Sequence, residues 1–371
     1  MAARFEVSEK EGLLRGARVT PETRRGRGAT ANPDGRFEAT RREAFDDGWP
    51  EEPGLRARTE VVAERARHII TRNASPDIPF DRSINPYRGC EHGCIYCFAR
   101  PNHGYVGLSP GLDFETRLFS KPDAAALLER ELSAPGYRPR TIALGTATDP
   151  YQPIERGHGI TRAVLEVLAR FRHPVGIVTK SNLILRDRDI LAAMAAQNLV
   201  KVAISVTTLD PDLARRMEPR APHPRKRLEA IRSLSGAGVP VMVIAAPVIP
   251  SLNDHEIEAI LEAARAAGAV EANYVLLRLP HELDDLVGDW FSEHYPGRKA
   301  HVFSLLSGAR GGKTYDAAFG TRMIGQGPYA DLIRCRFALA KRRLGFPQAP
   351  VRQTAELFRV PPRVGDQLAL F

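Results

Sequence analysis

The sequence predicts an α/β fold: an open (β/α)6 barrel of partial TIM type, with an N-terminal extension and a C-terminal helical or irregular region. Three observations predict it. Between residues 82 and 279, short β-rich runs alternate with helical stretches, which implies a parallel sheet. The runs are nearly continuous in apolar residues, as strands covered on both faces are. A loop carrying three closely spaced cysteines follows directly on the first expected strand, and parallel α/β folds place their sites at the C-terminal ends of strands. Residues 1–60 are therefore assigned to an extension of mixed basic and acidic character, 61–280 to the core barrel and 281–371 to a C-terminal extension.

The elements follow in order. Within the extension, residues 23–28 read as a flexible basic stretch and 46–52 as an acidic turn, either in a solvated tail or in a strap over the core. A first strand leads into the cysteine loop near residues 83–87. Further strands are expected at 141–145, 175–179, 200–207, 239–246 and 273–277. A helix over 160–170 places Val164, Leu165, Leu168 and Phe171 at helical spacing, and others fall over 190–194 and 227–234. Asn253 or Asp254 is expected to cap a helix over 256–267 that stops at Gly268. Beyond residue 281 the pattern loosens. The glycines of 308–314 resemble a phosphate loop, but that motif requires glycine where Ser307 stands, so the segment reads as a turn. A last helix spans 329–343.

Length and composition bound the function. The 371 residues accommodate one large α/β domain of about 200–250 residues plus extensions. No apolar run of about 18 residues and no secretory signal is present, so neither a membrane partner nor export is expected. The four cysteines, three of them clustered, do not form a disulfide framework and point to a reducing, cytoplasmic compartment. The formal charge of +9 permits an anionic partner such as nucleic acid without requiring one.

Cys90, Cys94 and Cys97 carry the chemistry. Thiolates this close, on a loop that also holds Gly89 and Gly93, can converge on one cubane iron–sulfur cluster. Three cysteines leave one iron with an open position, the mark of a catalytic rather than a closed site. The alternative is structural zinc, with His92 or Cys335 as fourth ligand. Cys335, set among Leu332, Ile333 and Phe337, is expected to be a buried, unreactive core residue.

The spacing Cys90-x-x-x-Cys94-x-Tyr96-Cys97 resembles the signature of the radical S-adenosylmethionine (radical SAM) superfamily. Thr148-Asp149-Pro150-Tyr151-Gln152, Thr179-Lys180-Ser181, Glu218-Pro219-Arg220 and Ala246-Pro247-Val248 are similar to the bacterial branch related to spore photoproduct lyase. The resemblance implies a 4Fe–4S cluster on the three cysteines and SAM chelated to the unique iron. It implies reductive cleavage of SAM to a 5′-deoxyadenosyl radical that abstracts hydrogen, and an electron donor such as flavodoxin or ferredoxin. By position, Tyr96 would pack beside the adenine. Lys180 and Ser205 would hold the SAM carboxylate, and Asp149 and Glu155 would supply polar groups for the SAM amine. Arg220 would be an anion binder, unless Glu218 and Arg220 form an ion pair that fixes their loop. Where the lyase carries a hydrogen-donor cysteine after its second strand, this chain has Gly145-Thr146-Ala147-Thr148, and a threonine O–H bond is too strong for that role. The substrate class stays open among nucleic acid, peptide and metabolite. A non-enzymatic iron–sulfur protein for electron transfer or nucleic-acid binding is the competing reading.

Overall fold

The computed structural model describes residues 19–38 and 57–362. Ten strands are present among them: β1 (Glu60–Ala63), β2 (Ile70–Arg72), β3 (Arg82–Ile84), β4 (Tyr87–Arg88), β5 (Arg117–Ser120), β6 (Ile142–Leu144), β7 (Val175–Thr179), β8 (Val200–Ser205), β9 (Val241–Val248) and β10 (Glu271–Leu276). The main sheet has the order β10-β9-β8-β7-β6-β3-β2. Its six strands from β3 to β10 are parallel and follow the order of the chain, and β2 lies antiparallel on the edge. Consecutive parallel strands with helical crossovers form the open barrel the sequence predicts.

Helices fill the crossovers. α1 (Asp113–Thr116) and α2 (Ala124–Leu132) lie before β6. α3 (Glu155–His158) and α4 (Ile160–Arg170) join β6 to β7, and α5 (Arg188–Ala195) joins β7 to β8. α6 (Pro211–Met217) and α7 (Pro224–Gly236) precede β9, and α8 (Ile257–Ala266) precedes β10. α4 begins and ends where its periodicity indicates. Val164, Leu165 and Leu168 are fully buried, so its apolar stripe faces the sheet. The β7 range is also as expected, and β8 stops at Ser205, two residues short of the expected end.

Three expectations need correction here. α8 is not capped by Asn253 or Asp254. A 3-10 turn over Asp254–Glu256 precedes it, and the Asn253 side chain instead ties Ile249 N to the carbonyls of Thr207 and Pro247. The basic stretch 23–28 is not a solvated tail. Arg27 is buried, donating to the carbonyls of Glu115 and Ala57 and to the Thr59 hydroxyl. Cys335 is exposed on α11 (Pro328–Arg343), the last of three C-terminal helices after α9 (Leu283–His294) and α10 (Pro296–Gly308). Ile333 and Phe337 are four apart and share the buried face, while Cys335 lies two positions from each, about 200° around the helix. The expected acidic turn at 46–52 lies outside the described residues.

A second sheet, β1-β5-β4, was not apparent in the sequence. β1 pairs parallel with β5, and β5 antiparallel with β4, which bridges β3 and the cysteine loop. It braces that loop from outside the barrel. Among the described residues no helix is long and apolar enough to cross a membrane.

Candidate active site at the C-terminal ends of the strands

The cysteine loop leaves β4 and is held by backbone hydrogen bonds to several distant segments. Cys90 N donates to Phe114 O at 3.0 Å, Ile95 N to Met217 O at 3.0 Å and Arg220 N to His92 O at 3.2 Å. The segment after β6 grips it too: the Thr148 hydroxyl donates to Gly89 O at 2.6 Å, and Glu91 N donates to the Gln152 side chain at 2.8 Å. Beneath it lies a fully buried ion pair, Arg100 with Glu115 at 2.5 Å, and Arg100 Nε donates to Cys94 O at 2.9 Å. The glycines are sterically required. Gly89 has φ +76°, and a Cβ there would lie 2.6 Å from Leu118; Gly93 has φ +69°, and its Cβ would meet Glu115 at 2.6 Å.

The N-terminal strap closes over this loop. Gly28 N and Ala29 N donate to the Glu115 carboxylate at 2.9 and 2.8 Å. Gly28 passes so close that a Cβ on it would lie 1.9 Å from Gly93 O.

All three clustered cysteines face one cavity of about 290 Å3 at the C-terminal ends of the strands. All three are free thiols, and burial is the first cause that pushes each above its ordinary value. No group of three or more Cys, His, Asp or Glu side chains among the described residues is placed to hold a single metal ion. Three thiols facing one cavity supply three of the four ligands that a cubane cluster takes and leave one iron open. The donor set present therefore fits a 4Fe–4S cluster. His92 is buried and turned to Asp149, with Nδ1 3.4 Å from its carboxylate.

The remaining expected residues divide into two groups. Lys180, Ser205, Tyr96 and Asp149 line the same cavity. Lys180 stands just beyond β7, its Nζ 2.7 Å from Ser205 Oγ at the end of β8, 3.3 Å from Glu218 and over the Tyr96 ring. Burial pulls its pKa down to about 8, with Cys94 opposing and Arg227 adding to the fall. Both oxygens of Asp149 are occupied by protein: Oδ1 accepts from the Thr179 hydroxyl and Tyr151 N, and Oδ2 from Lys180 N. Burial pushes this carboxyl up, but His92 and these donors outweigh it and hold it below the ordinary value. Glu155 is not brought to the cavity. It is fully buried elsewhere, accepting from the Tyr87 hydroxyl, Thr161 N and Arg186.

The expected Glu218–Arg220 ion pair does not form. Arg220 pairs with Glu91 at 2.6 Å, so the cation expected to bind an anion is already partnered. Glu218 is instead a buried hub. Its carboxylate accepts from the Tyr96 hydroxyl, Thr207 Oγ1 and the buried Arg227, and pairs with the Lys180 ammonium at 3.3 Å. One carboxylate thereby joins the aromatic of the cysteine loop to the cation at the end of β7. Thr207 and Arg227 escaped the sequence reading because nothing local marks either as a site residue. Arg278, just past β10, also lines the cavity unforeseen.

The family model for the radical SAM superfamily matches residues 84–264. An uncharacterised protein of Mycobacterium tuberculosis is 37% identical over 239 residues, 64% of this chain and 70% of its own. An uncharacterised protein of Methanocaldococcus jannaschii is 26% identical over 207 residues, 54% of this chain and 73% of its own. Among solved structures, spore photoproduct lyase complexed with dinucleoside spore photoproduct superimposes with a TM-score of 0.59 at 14% identity, covering 80% of this chain and 84% of that one. A variant of that lyase with bound AdoMet and the same dinucleoside gives 0.57 at 13% identity over 76% and 79%. The chain belongs to the radical SAM superfamily. Its fold is similar to that of spore photoproduct lyase.

Proposed function

We propose that this protein is a radical SAM enzyme whose 4Fe–4S cluster is held by Cys90, Cys94 and Cys97, with SAM bound across the same cavity. The observation that carries the reading is the meeting of three free thiols with Lys180 and Ser205 in one cavity at the strand ends. When bound and reduced, the cluster supplies the electron that splits the sulfonium C–S bond of SAM and so yields a 5′-deoxyadenosyl radical for hydrogen abstraction.

The chain's own residues bind, orient and exclude water. The Lys180 ammonium, steadied by Ser205 Oγ, whose own hydroxyl donates to Ala246 O at 3.2 Å, presents donors suited to a carboxylate such as that of SAM. Tyr96, held by its hydroxyl on Glu218 and Thr207, offers a fixed ring face for the adenine. Asp149 acts mainly by fixing Lys180 N, Thr179 and His92, since its oxygens are already engaged. The strap and the Arg100–Glu115 pair close the loop from behind.

Nucleic acid leads as substrate class, on the net charge and on the dinucleoside bound to the similar lyase. No thiol other than the three proposed ligands lines the cavity among the described residues, and Cys335 is exposed on α11. Return of a hydrogen atom to the product from a cavity thiol is therefore not part of the proposal.

The test is spectroscopic. In anaerobically reconstituted protein, SAM should alter the electron paramagnetic resonance spectrum of the reduced cluster, and Lys180→Ala should raise the SAM concentration required. A well-formed cluster blind to SAM would favour the electron-transfer or nucleic-acid-binding reading.

A further inference from the structure

The cavity has two cations of different standing. Lys180, at its inner end, is met by the Glu218 carboxylate at 3.3 Å. Arg278, just past β10, has no carboxylate in ion-pair contact among the described residues; its described contacts are to neutral atoms. Its Nη1 reaches only the Met323 sulfur at 3.5 Å, and its Nη2 only the Tyr315 hydroxyl at 3.3 Å. Its Nε is buried and has no hydrogen-bond partner. A guanidinium N–H without an acceptor is costly. Arg24, Arg220 and Arg310 also carry such an Nε among the described residues, and Arg278 is the one of the four that lines the cavity.

The surroundings fix Arg278 in this state. Arg310 lies near enough that, after burial, the charge of Arg278 is the next cause lowering its pKa. Arg310 is spent on backbone carbonyls, with Nη2 on Leu277 O at 2.6 Å and Nη1 on Arg322 O at 3.1 Å. Two guanidiniums thus stand close together with no carboxylate in ion-pair contact with either among the described residues. Met323, from the segment 309–327, lines the cavity beside Arg278, and the segment is secured by Leu276 N to Met323 O at 2.8 Å and by Gly320 N to Asp77 at 2.7 Å. The guanidinium also lies over the ring of Phe98, 5.3 Å from its centroid, and that ring is half exposed at the cavity.

Resting on the reading of the cavity as the SAM site, we propose that Arg278 is the receptor for an oxyanion of the substrate, a phosphate ester or a carboxylate, whose attached apolar body lies against Phe98. A planar guanidinium at the cavity whose Nη groups make only long contacts to neutral atoms matches a bidentate oxyanion. Lys180 is left for SAM, and the two anions, one from each ligand, are received by two different cations of the cavity.

The experiment is isothermal titration of the reconstituted, SAM-loaded protein with sodium phosphate and with sodium acetate at fixed ionic strength. At least one anion should bind saturably, and the tighter one identifies the substrate group as phosphate or carboxylate. Arg278→Gln should weaken that binding about 10-fold or more, and Arg278→Lys less, because the charge remains while the fork is lost. Saturable binding of neither anion by the wild-type protein overturns the proposal without recourse to a variant. Anion binding that Arg278→Gln leaves unchanged overturns it as well. SAM affinity is read separately on the same preparations. Absence of SAM binding by the wild type removes the radical SAM reading itself. A loss of SAM affinity in Arg278→Gln equal to the anion's assigns Arg278 to the SAM carboxylate, which overturns this proposal and leaves that reading standing.

Discussion

At the scale of single residues, the site depends on three thiols and on a few buried charges with different duties. Cys90→Ala, Cys94→Ala or Cys97→Ala should each abolish cluster retention, read as iron and sulfide per chain after desalting. Cys335→Ala should leave both unchanged, since this thiol is exposed on the far side of α11. In cluster-free protein Cys335 should be alkylated first. The other three sit above their ordinary pKa because they are buried, so they are mostly thiols at neutral pH, and their alkylation should accelerate as pH rises. Lys180→Ala should weaken SAM binding by about 10-fold or more, the worth of one charge-assisted hydrogen bond, with iron content retained. Glu218→Gln acts differently. It leaves the buried Arg227 without its counter-charge, and urea denaturation should show a loss of roughly 3–5 kcal/mol. The sequence marks the cysteines by a compact motif and Lys180 by its place at a strand end, and the structure brings them to one cavity. Glu218 was noticed for the wrong partner. Its true contacts come from just past β7 and β8, from α7 and from the cysteine loop, and no local pattern encodes such a convergence.

At the scale of elements, the strands and helices of the barrel were largely legible, while the parts that hold the cysteine loop were not. β7 and α4 announce themselves by unbroken apolar character and by helical periodicity, both local signals. The strap gives no such signal. The run from Thr23 to Gly28 looks like a solvated basic tail, yet Arg27 and Gly28 find their partners on Glu115, far along the chain. The small sheet β1-β5-β4 is hidden for the same reason, since its strands are short and its pairings distant. The strap's role can be tested at one atom. Gly28→Ala would force a methyl group into the carbonyl of Gly93, so the strap or the cysteine loop must shift. The expected result is a loss of roughly 1–3 kcal/mol in stability and faster bleaching of the cluster in air, followed by absorbance. Unchanged stability and bleaching would show that the strap is not needed to hold the loop.

At the scale of the whole molecule, six parallel strands taken in chain order aim their C-terminal ends at one cavity, and each contributes to it or to its rim. β3 leads through β4 to the thiols, and β6 is followed by the segment that grips their loop. β7 and β8 supply Lys180 and Ser205, β9 ends on Ala246 and Pro247 beside them, and β10 delivers Arg278. The central claim is that this cavity cleaves SAM by one-electron reduction. The most direct measurement is anaerobic: reconstitute the protein with iron and sulfide, reduce it with dithionite, add SAM and quantify 5′-deoxyadenosine by mass spectrometry. The account predicts that 5′-deoxyadenosine forms with the wild-type protein and is lost in Cys94→Ala. A fully loaded, reduced cluster that yields none, with no spectral response to SAM, would contradict it.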